Sequence, residues 1–468
     1  MRGLQTMKLL IASRRWCAGS ELRPGLYPRF CASARDCTFV AVFAVALVCR
    51  LAFIAALLIL RPGFWGSSVS RWAELGWISL NLYEGRGFSS PFSAGTSPTA
   101  WLCPLVPGLW AGVMWFLGNT PTAVRALALL QTIPSALSCA FYWLLARHMS
   151  RDDRPSVGCR RPLTVGLAAC FWPESILRMT NLWYLVWQEL GVVVLVWCAM
   201  MWLDSPSKRR AILLGVAAGL MAWVNVTPLP IFIVALAAPL LRVSPNRSAI
   251  CGYASLALLV ALLVMSPWLA RNALRFGRLI PMRSNTGFQL FEANNTDGCV
   301  RETSGTKHPA SDEKQRLLYD RLGEAQYNQM CLARALRYMA LEPGKTMTRA
   351  IQRFYVVWFT DVLDCWPDIP GTRWWYSTGH PLVNLFIRVK RCSTILSALL
   401  LLALVACAAF SGRFRGVPYG FLFVAVLLAM SFPHYLMQVS DEYTEIVRHW
   451  LRLLVVFVWC DKPPSCAS

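Results

Sequence analysis

The sequence predicts an all-α polytopic membrane protein, with about ten transmembrane helices and a smaller polar domain on one face. Three observations carry this. Only 15% of the 468 residues are charged and 56% are hydrophobic, where soluble domains run near ~25% charged. The apolar residues gather in runs of about 17 or more, the length a helix needs to cross hydrocarbon. The basic residues behind the formal charge of +22 sit in short clusters between those runs, which is the positive-inside pattern and reports orientation. That distribution excludes nucleic-acid binding, which needs a basic face on a soluble domain.

Residues 1–37 form a basic tail, with Arg2, Lys8, Arg14, Arg15, Arg23, Arg29 and Arg35 against Glu21 and Asp36. The first apolar run, 38–60, is too long for a signal-peptide core and reads as a retained first helix. The tail is therefore expected in the cytoplasm. Further spans are expected near 122–146, 163–180, 186–203, 211–226, 228–242, 248–269, 392–411, 417–438 and 445–460. Pro228 and Pro230 separate two of them as a tight hairpin.

Charge decides the run 100–118, which opens with Pro104 and Pro107. Treated as an interfacial helix, it leaves the clusters Arg147/Arg151/Arg154/Arg160/Arg161, Lys208/Arg209/Arg210, Arg242/Arg247 and Arg413/Arg415 on the cytoplasmic side. The alternative puts the Arg-rich loop after residue 146 outside. The transmembrane core is thus 38–270 with a first outer loop at 61–121, an outer-face domain follows at 271–391, and C-terminal helices at 392–460 precede a tail at 461–468. Within the domain, apolar spacing predicts a helical stretch from about Ser311 to Leu341 and an amphipathic helix from Thr346 to Phe359 that suits a membrane surface.

The first outer loop holds two carboxylates, Glu74 and Glu84, among Trp65, Trp72, Trp77 and Trp101. Aromatic neighbours desolvate a carboxylate and raise its basicity, which suits Glu74 to general-base work; the competing reading is a solvated loop glutamate or an ion pair with Arg71, Arg86 or an arginine of the outer domain. Glu84, beside Gly85, reads as a turn charge. Glu189 lies near a span end and is a candidate by the cost of placing charge there. Trp183, Tyr184, Trp358, Trp374, Trp375 and Tyr376 read as an interfacial aromatic belt. The 17 cysteines include no C-x-x-C and the chain has five histidines, so no zinc site is signalled. Cys139, Cys170, Cys198, Cys251 and Cys407 read as small buried hydrophobes; Cys299, Cys331 and Cys365 share the polar block and can pair.

The order Glu74, Gly85-Arg86-Gly87-Phe88-Ser89, Pro91-Phe92, Pro98-Thr99-Ala100-Trp101, Pro104 and Pro107 resembles bacterial members of the GT-C glycosyltransferase superfamily. The resemblance is to the dolichyl-phosphate-mannose protein-mannosyltransferase-like group that includes the lipid A aminoarabinose transferases. Trp187-Gln188-Glu189, Pro267-Trp268-Leu269-Ala270-Arg271-Asn272 continuing to Arg283-Ser284-Asn285, and His308-Pro309 with Tyr319, Gly323-Glu324 and Tyr327 extend it over about 40–440. It implies a GT-C-type bundle and sugar transfer from a polyprenyl-phosphate donor to a lipid, glycan or protein acceptor at the outer face of the inner membrane. No nucleotide sugar or cofactor is implied. Glu74 occupies the place of the catalytic carboxylate. Relatives commonly carry an Asp-Glu pair there, and this chain has none; its Tyr443-Thr444-Glu445 and Arg448-His449 match only loosely the Tyr-Arg-His-Pro-like element with which relatives close.

For this chemistry Arg271, at the outer end of its span, and Arg283 suit the departing phosphate, which guanidinium binds in bidentate fashion. Asn272 and Asn285 suit orientation of either group, and Glu189, His308 and Glu324 are candidate substrate contacts, with packing and hydrogen bonding as their alternative. Arginine can neutralise the phosphate, so no metal is expected. Two rival readings remain: a lipid-sugar transporter or flippase, which needs charges along a mid-span path, and a catalytically degenerate protein of the same fold. The span centres read as nearly charge-free, which favours an enzyme.

Overall fold

The computed structural model describes residues 30–66, 73–149, 160–241, 246–298, 307–359, 381–410, 419–437, 439 and 446–454. Among these the architecture is helical, with one isolated β-bridge between Ser89 and Pro98. Trp72, Arg71, Cys299, Cys365 and Trp374 to Tyr376 lie outside the described residues.

The helices are α1 (Phe30–Leu60), α2 (Ala73–Tyr83), α3 (Leu105–Leu117), α4 (Pro121–Met149), α5 (Arg160–Phe171), α6 (Pro173–Leu177), α7 (Leu185–Asp204), α8 (Lys208–Val224) and α9 (Leu229–Leu240). They continue as α10 (Arg247–Phe276), α11 (Thr286–Ala293), α12 (Glu313–Leu322), α13 (Glu324–Leu341), α14 (Pro343–Phe359), α15 (Pro381–Phe410) and α16 (Gly420–Leu436). Among the described residues, four stretches are long and apolar enough to cross a membrane: Cys37–Leu60, Pro121–Met149, Leu185–Asp204 and Arg247–Phe276. Leu105–Leu117, Pro162–Phe171, Leu229–Leu240, Ile395–Cys407 and Gly420–Leu436 are apolar but shorter. At 13 residues α3 extends only about 20 Å, less than the hydrocarbon thickness.

Helices α4 and α7 form the buried centre, while α1 and α10 turn Val48, Ile59, Leu259 and Leu263 outward. Such continuous apolar surface suits a lipid environment. Helix α8 closes on α10 through Gly215 and Gly219, whose missing Cβ atoms leave room for Ala257, Val260, Ala261 and Val264. On the polar side α11 packs on α13, and α14 lies against α16.

Several expectations need correction. The run 163–180 is broken: Trp172 is extended, as a residue before proline must be, and Pro173 starts a separate short helix. Helix α10 runs past residue 270 to Phe276, ended by Gly277 at φ 64°. Gly323 at φ 73° divides the expected 311–341 helix into α12 and α13. Cys251 is exposed and Cys407 half-buried rather than core. The bundle interior is also not charge-poor. Arg50 is fully buried in α1, donating to Ser135 Oγ (2.8 Å), Cys170 O (2.8 Å) and Ala46 O (3.2 Å).

Candidate functional site

The segment between α2 and α3 folds around one side chain. Asn81, in the last turn of α2, donates Nδ2–H to the carbonyls of Ser89 (3.0 Å), Ser90 (3.0 Å) and Ser93 (2.9 Å). Its Oδ1 accepts from Arg86 Nε at 2.6 Å. Gly85 and Gly87 take φ 76° and 77°, a region open to glycine at little cost. In that turn Glu84 pairs with Arg86. The loop thus has a fixed path, and α2 presents Glu74 at its first turn.

Glu74 meets His308 across a long sequence separation: Oε1 accepts from Nε2 at 3.0 Å, with both side chains largely buried. Phe92, Phe288 and Trp101 wall the imidazole edge-on, at centroid distances of 5.5, 5.1 and 6.3 Å. Burial pushes the Glu74 carboxyl up, but the contact with His308, with a smaller contribution from Arg283, outweighs it and holds it below the usual glutamate value, so the raised basicity expected from the aromatic neighbours is not found.

Arg283 donates Nε–H to Trp101 O at 3.2 Å and stacks over the Tyr184 ring at 5.7 Å. Arg271 directs Nη1 to Thr99 O (2.6 Å) and Asn272 Oδ1 (2.9 Å), and Nη2 to Phe88 O (2.6 Å), with its guanidinium 4.7 Å from the Trp268 ring centroid. Two of its N–H groups therefore hold the loop, and a third is tied to its helix neighbour Asn272. Asn272 is fully buried and donates to Ile280 O at 3.1 Å, so it orients Arg271. Asn285 caps α11 by position, its carbonyl accepting the Gln289 N–H at 2.9 Å.

Glu324 joins the loop to the polar block. It accepts from Ala100 N (2.6 Å), Ser284 Oγ (2.6 Å), Tyr319 Oη (2.8 Å) and Thr99 Oγ1. Even so, burial wins, and the Glu324 carboxyl is raised above the usual value. Thr99, Ser284 and Tyr319 become visible as its partners only in three dimensions.

Glu189 stands apart, inside the bundle. Its Oε2 takes Arg178 Nη1 at 2.5 Å, and its Oε1 takes Tyr142 Oη (2.9 Å) and His449 Nδ1 (3.2 Å). Beside it Glu174 Oε2 receives Arg452 Nη2 and Trp172 Nε1, both at 2.6 Å. The sequence reading singled out Glu189 but missed Arg178 and Tyr142, which ionisable and phenolic groups inside apolar runs signal. Among the described residues no group of three or more His, Cys, Asp or Glu is placed to hold a metal.

Fold and site together define a helical, membrane-type protein with a charged, aromatic-walled site beside its apolar bundle. Over 226 residues the chain is 28% identical to an undecaprenyl phosphate-alpha-4-amino-4-deoxy-L-arabinose arabinosyl transferase of Pseudomonas paraeruginosa, a match covering 44% of this chain and 36% of that protein. Proteins of the same name from Pseudomonas aeruginosa match over the same length at 28–29% identity and the same coverage. The chain therefore spans about a third of the length of these curated relatives. The resemblance to the aminoarabinose transferase group is borne out by these matches. No family profile and no solved structure matches the chain.

Proposed function

We propose that the chain is a GT-C-type glycosyltransferase of the inner membrane, moving a sugar from a polyprenyl-phosphate donor to an acceptor at the outer face. One observation carries this: the Glu74 carboxylate and Arg283 meet the same aromatic wall at Trp101, Glu74 through His308, whose ring lies 6.3 Å from that of Trp101, and Arg283 through its Nε–H to Trp101 O at 3.2 Å. Transfer from a lipid phosphate needs such a pair, one group to take a proton and one to receive a departing anion.

In this reading the acceptor O–H bond breaks and its proton passes to Glu74. The acceptor oxygen forms a bond to the anomeric carbon as the bond from that carbon to the phosphate oxygen breaks. The electron pair leaves with the phosphate, and single displacement inverts the centre. Arg283 holds the phosphate, with Arg271 contributing N–H groups not spent on Thr99, Asn272 and Phe88. Asn272 keeps Arg271 in place, and Asn285 starts the helix behind Arg283 and Ser284. Glu324 binds the loop to the polar block and Glu189 braces the bundle, so both serve the site through structure. The apolar groove that opens at Pro104, about 450 Å³ between α3, Leu130 and Trp223, suits the donor's isoprenoid chain. A pentosyl donor is favoured over a hexosyl one by the relatives' names.

The buried charges at Arg50 and Glu189 do not turn the reading toward a transporter, because each is hydrogen-bonded within the bundle rather than aligned along a path. Purified wild-type protein in nanodiscs, given undecaprenyl-phosphate-linked radiolabelled 4-amino-4-deoxy-L-arabinose and a cell-envelope lipid extract, should release undecaprenyl phosphate and label an extract component. Failure to consume this donor and a hexosyl counterpart alike sinks the proposal.

A further inference from the structure

We propose that His308 is a positioning residue for Glu74: it donates Nε2–H to the carboxylate and leaves Glu74, not itself, as the group that takes the acceptor's proton. The inference rests on the reading of the site just given and goes beyond it. In a carboxylate–histidine pair the imidazole is ordinarily the base and the carboxylate its orienter. The geometry here reverses the roles. The nitrogen that would have to take the proton, Nδ1, accepts the backbone N–H of Ala310 at 3.1 Å. A ring nitrogen that accepts carries no proton and has its lone pair committed. The proton of the neutral ring is therefore on Nε2, which lies 3.0 Å from Glu74 Oε1.

The ring has little freedom to exchange these roles. Phe92, Phe288 and Trp101 enclose it edge-on. The Nδ1 contact is local, made within the turn His308-Pro309-Ala310, so it forms whenever that turn forms. Ionisable groups around the pair come from several elements: Arg283 from the α10–α11 connection, Arg316 of α12 across the Phe92 ring at 5.5 Å, and Tyr319 and Glu324 beyond the Phe92 and Trp101 rings. Of these, Arg283 and His308 act on Glu74 in the same direction, both favouring its ionised form. A lone Glu74 with a histidine donor thus does the orienting work that an acid pair would do.

The test is the pH dependence of kcat/KM for transfer from an undecaprenyl-phosphate-linked sugar, with wild type, His308→Ala and His308→Gln in the full chain. Loss of the donor frees Glu74 to rise toward its burial-driven value. His308→Ala should move the acid limb upward and lower kcat about 10- to 100-fold, with donor KM within about twofold. His308→Gln, whose amide N–H can replace Nε2–H, should restore the limb and most of the rate. An acid limb unmoved in His308→Ala overturns the inference, as does a glutamine variant no better than alanine. Ring nitrogen shifts of ¹⁵N-histidine-labelled wild type supply a readout independent of turnover: a protonated Nε2 and bare Nδ1 are expected at neutral pH, and the Nδ1–H tautomer contradicts the assignment. If wild type transfers nothing but shows the expected tautomer, the proposed reaction fails while the Glu74–His308 geometry stands.

Discussion

Two buried glutamates in this chain each accept a hydrogen bond from a histidine, and they differ in what else they touch. Glu189 takes Arg178 on one oxygen and Tyr142 with His449 on the other, all from bundle helices or their ends. Glu74 sits on the short helix α2 and has His308 as its side-chain partner among the described residues. A carboxylate with both oxygens saturated by its own fold has no capacity left for a substrate, and removing a partner strands charge in a medium that punishes it. A carboxylate with fewer side-chain partners keeps more capacity for a further contact. The comparison separates a brace from a reacting group where residue type and burial alone do not.

The comparison breaks most visibly at the brace. Arg178→Ala should destabilise the protein by about 3–5 kcal/mol, the cost of leaving a buried partner uncompensated, and thermal unfolding in detergent measures it. A midpoint like wild type shows that the Glu189 network carries no load and removes the contrast with Glu74. Arg283→Ala should act on the other side of the contrast, lowering transfer by about 10- to 100-fold, as loss of a charge-assisted contact of 1.5–3 kcal/mol implies, with unfolding nearly unchanged. Equal losses of stability and rate place Arg283 with the brace instead.

The smallest expected effect concerns Glu324 and pH. Its carboxyl is raised in the folded state, so the folded protein binds that proton more tightly than the unfolded chain does. Its contribution is therefore complete below the ordinary glutamate value and is lost as pH rises through the raised one. Glu324→Gln should flatten the fall of the unfolding midpoint over that window; an unchanged slope refutes the assignment. Glu74 runs the opposite way. Held low, it favours folding at neutral pH, and that contribution disappears as pH falls through its depressed value.

The long apolar helices were legible because length and composition alone define them: 38–60, 122–146, 186–203 and 248–269 reappear in α1, α4, α7 and α10. Run-counting missed what single residues do. Pro173 broke an apolar stretch that hydropathy joins, and Gly323 divided a helix whose apolar spacing continues. Arg50 escaped because one charge barely alters the average of an apolar window, although its burial organises Ser135, Cys170 and Ala46 around it. In the site, Glu74, Arg283, His308 and Glu324 were each visible as residue types in a recognisable order. Their pairing was not. Nothing local to residue 74 announces residue 308, and nothing near 324 announces Thr99 and Ser284. Arg271 was read for its charge, and the structure adds that most of its donors serve Phe88, Thr99 and Asn272.

The most direct measurement is transfer by Glu74→Gln from an undecaprenyl-phosphate-linked sugar, with the thermal midpoint recorded on the same preparation. Glutamine keeps the shape and accepts from His308 but cannot take a proton. The account predicts a rate lowered about 10²- to 10⁴-fold, the usual contribution of a positioned general base, with a near-wild-type midpoint. Wild-type turnover in that variant would contradict it.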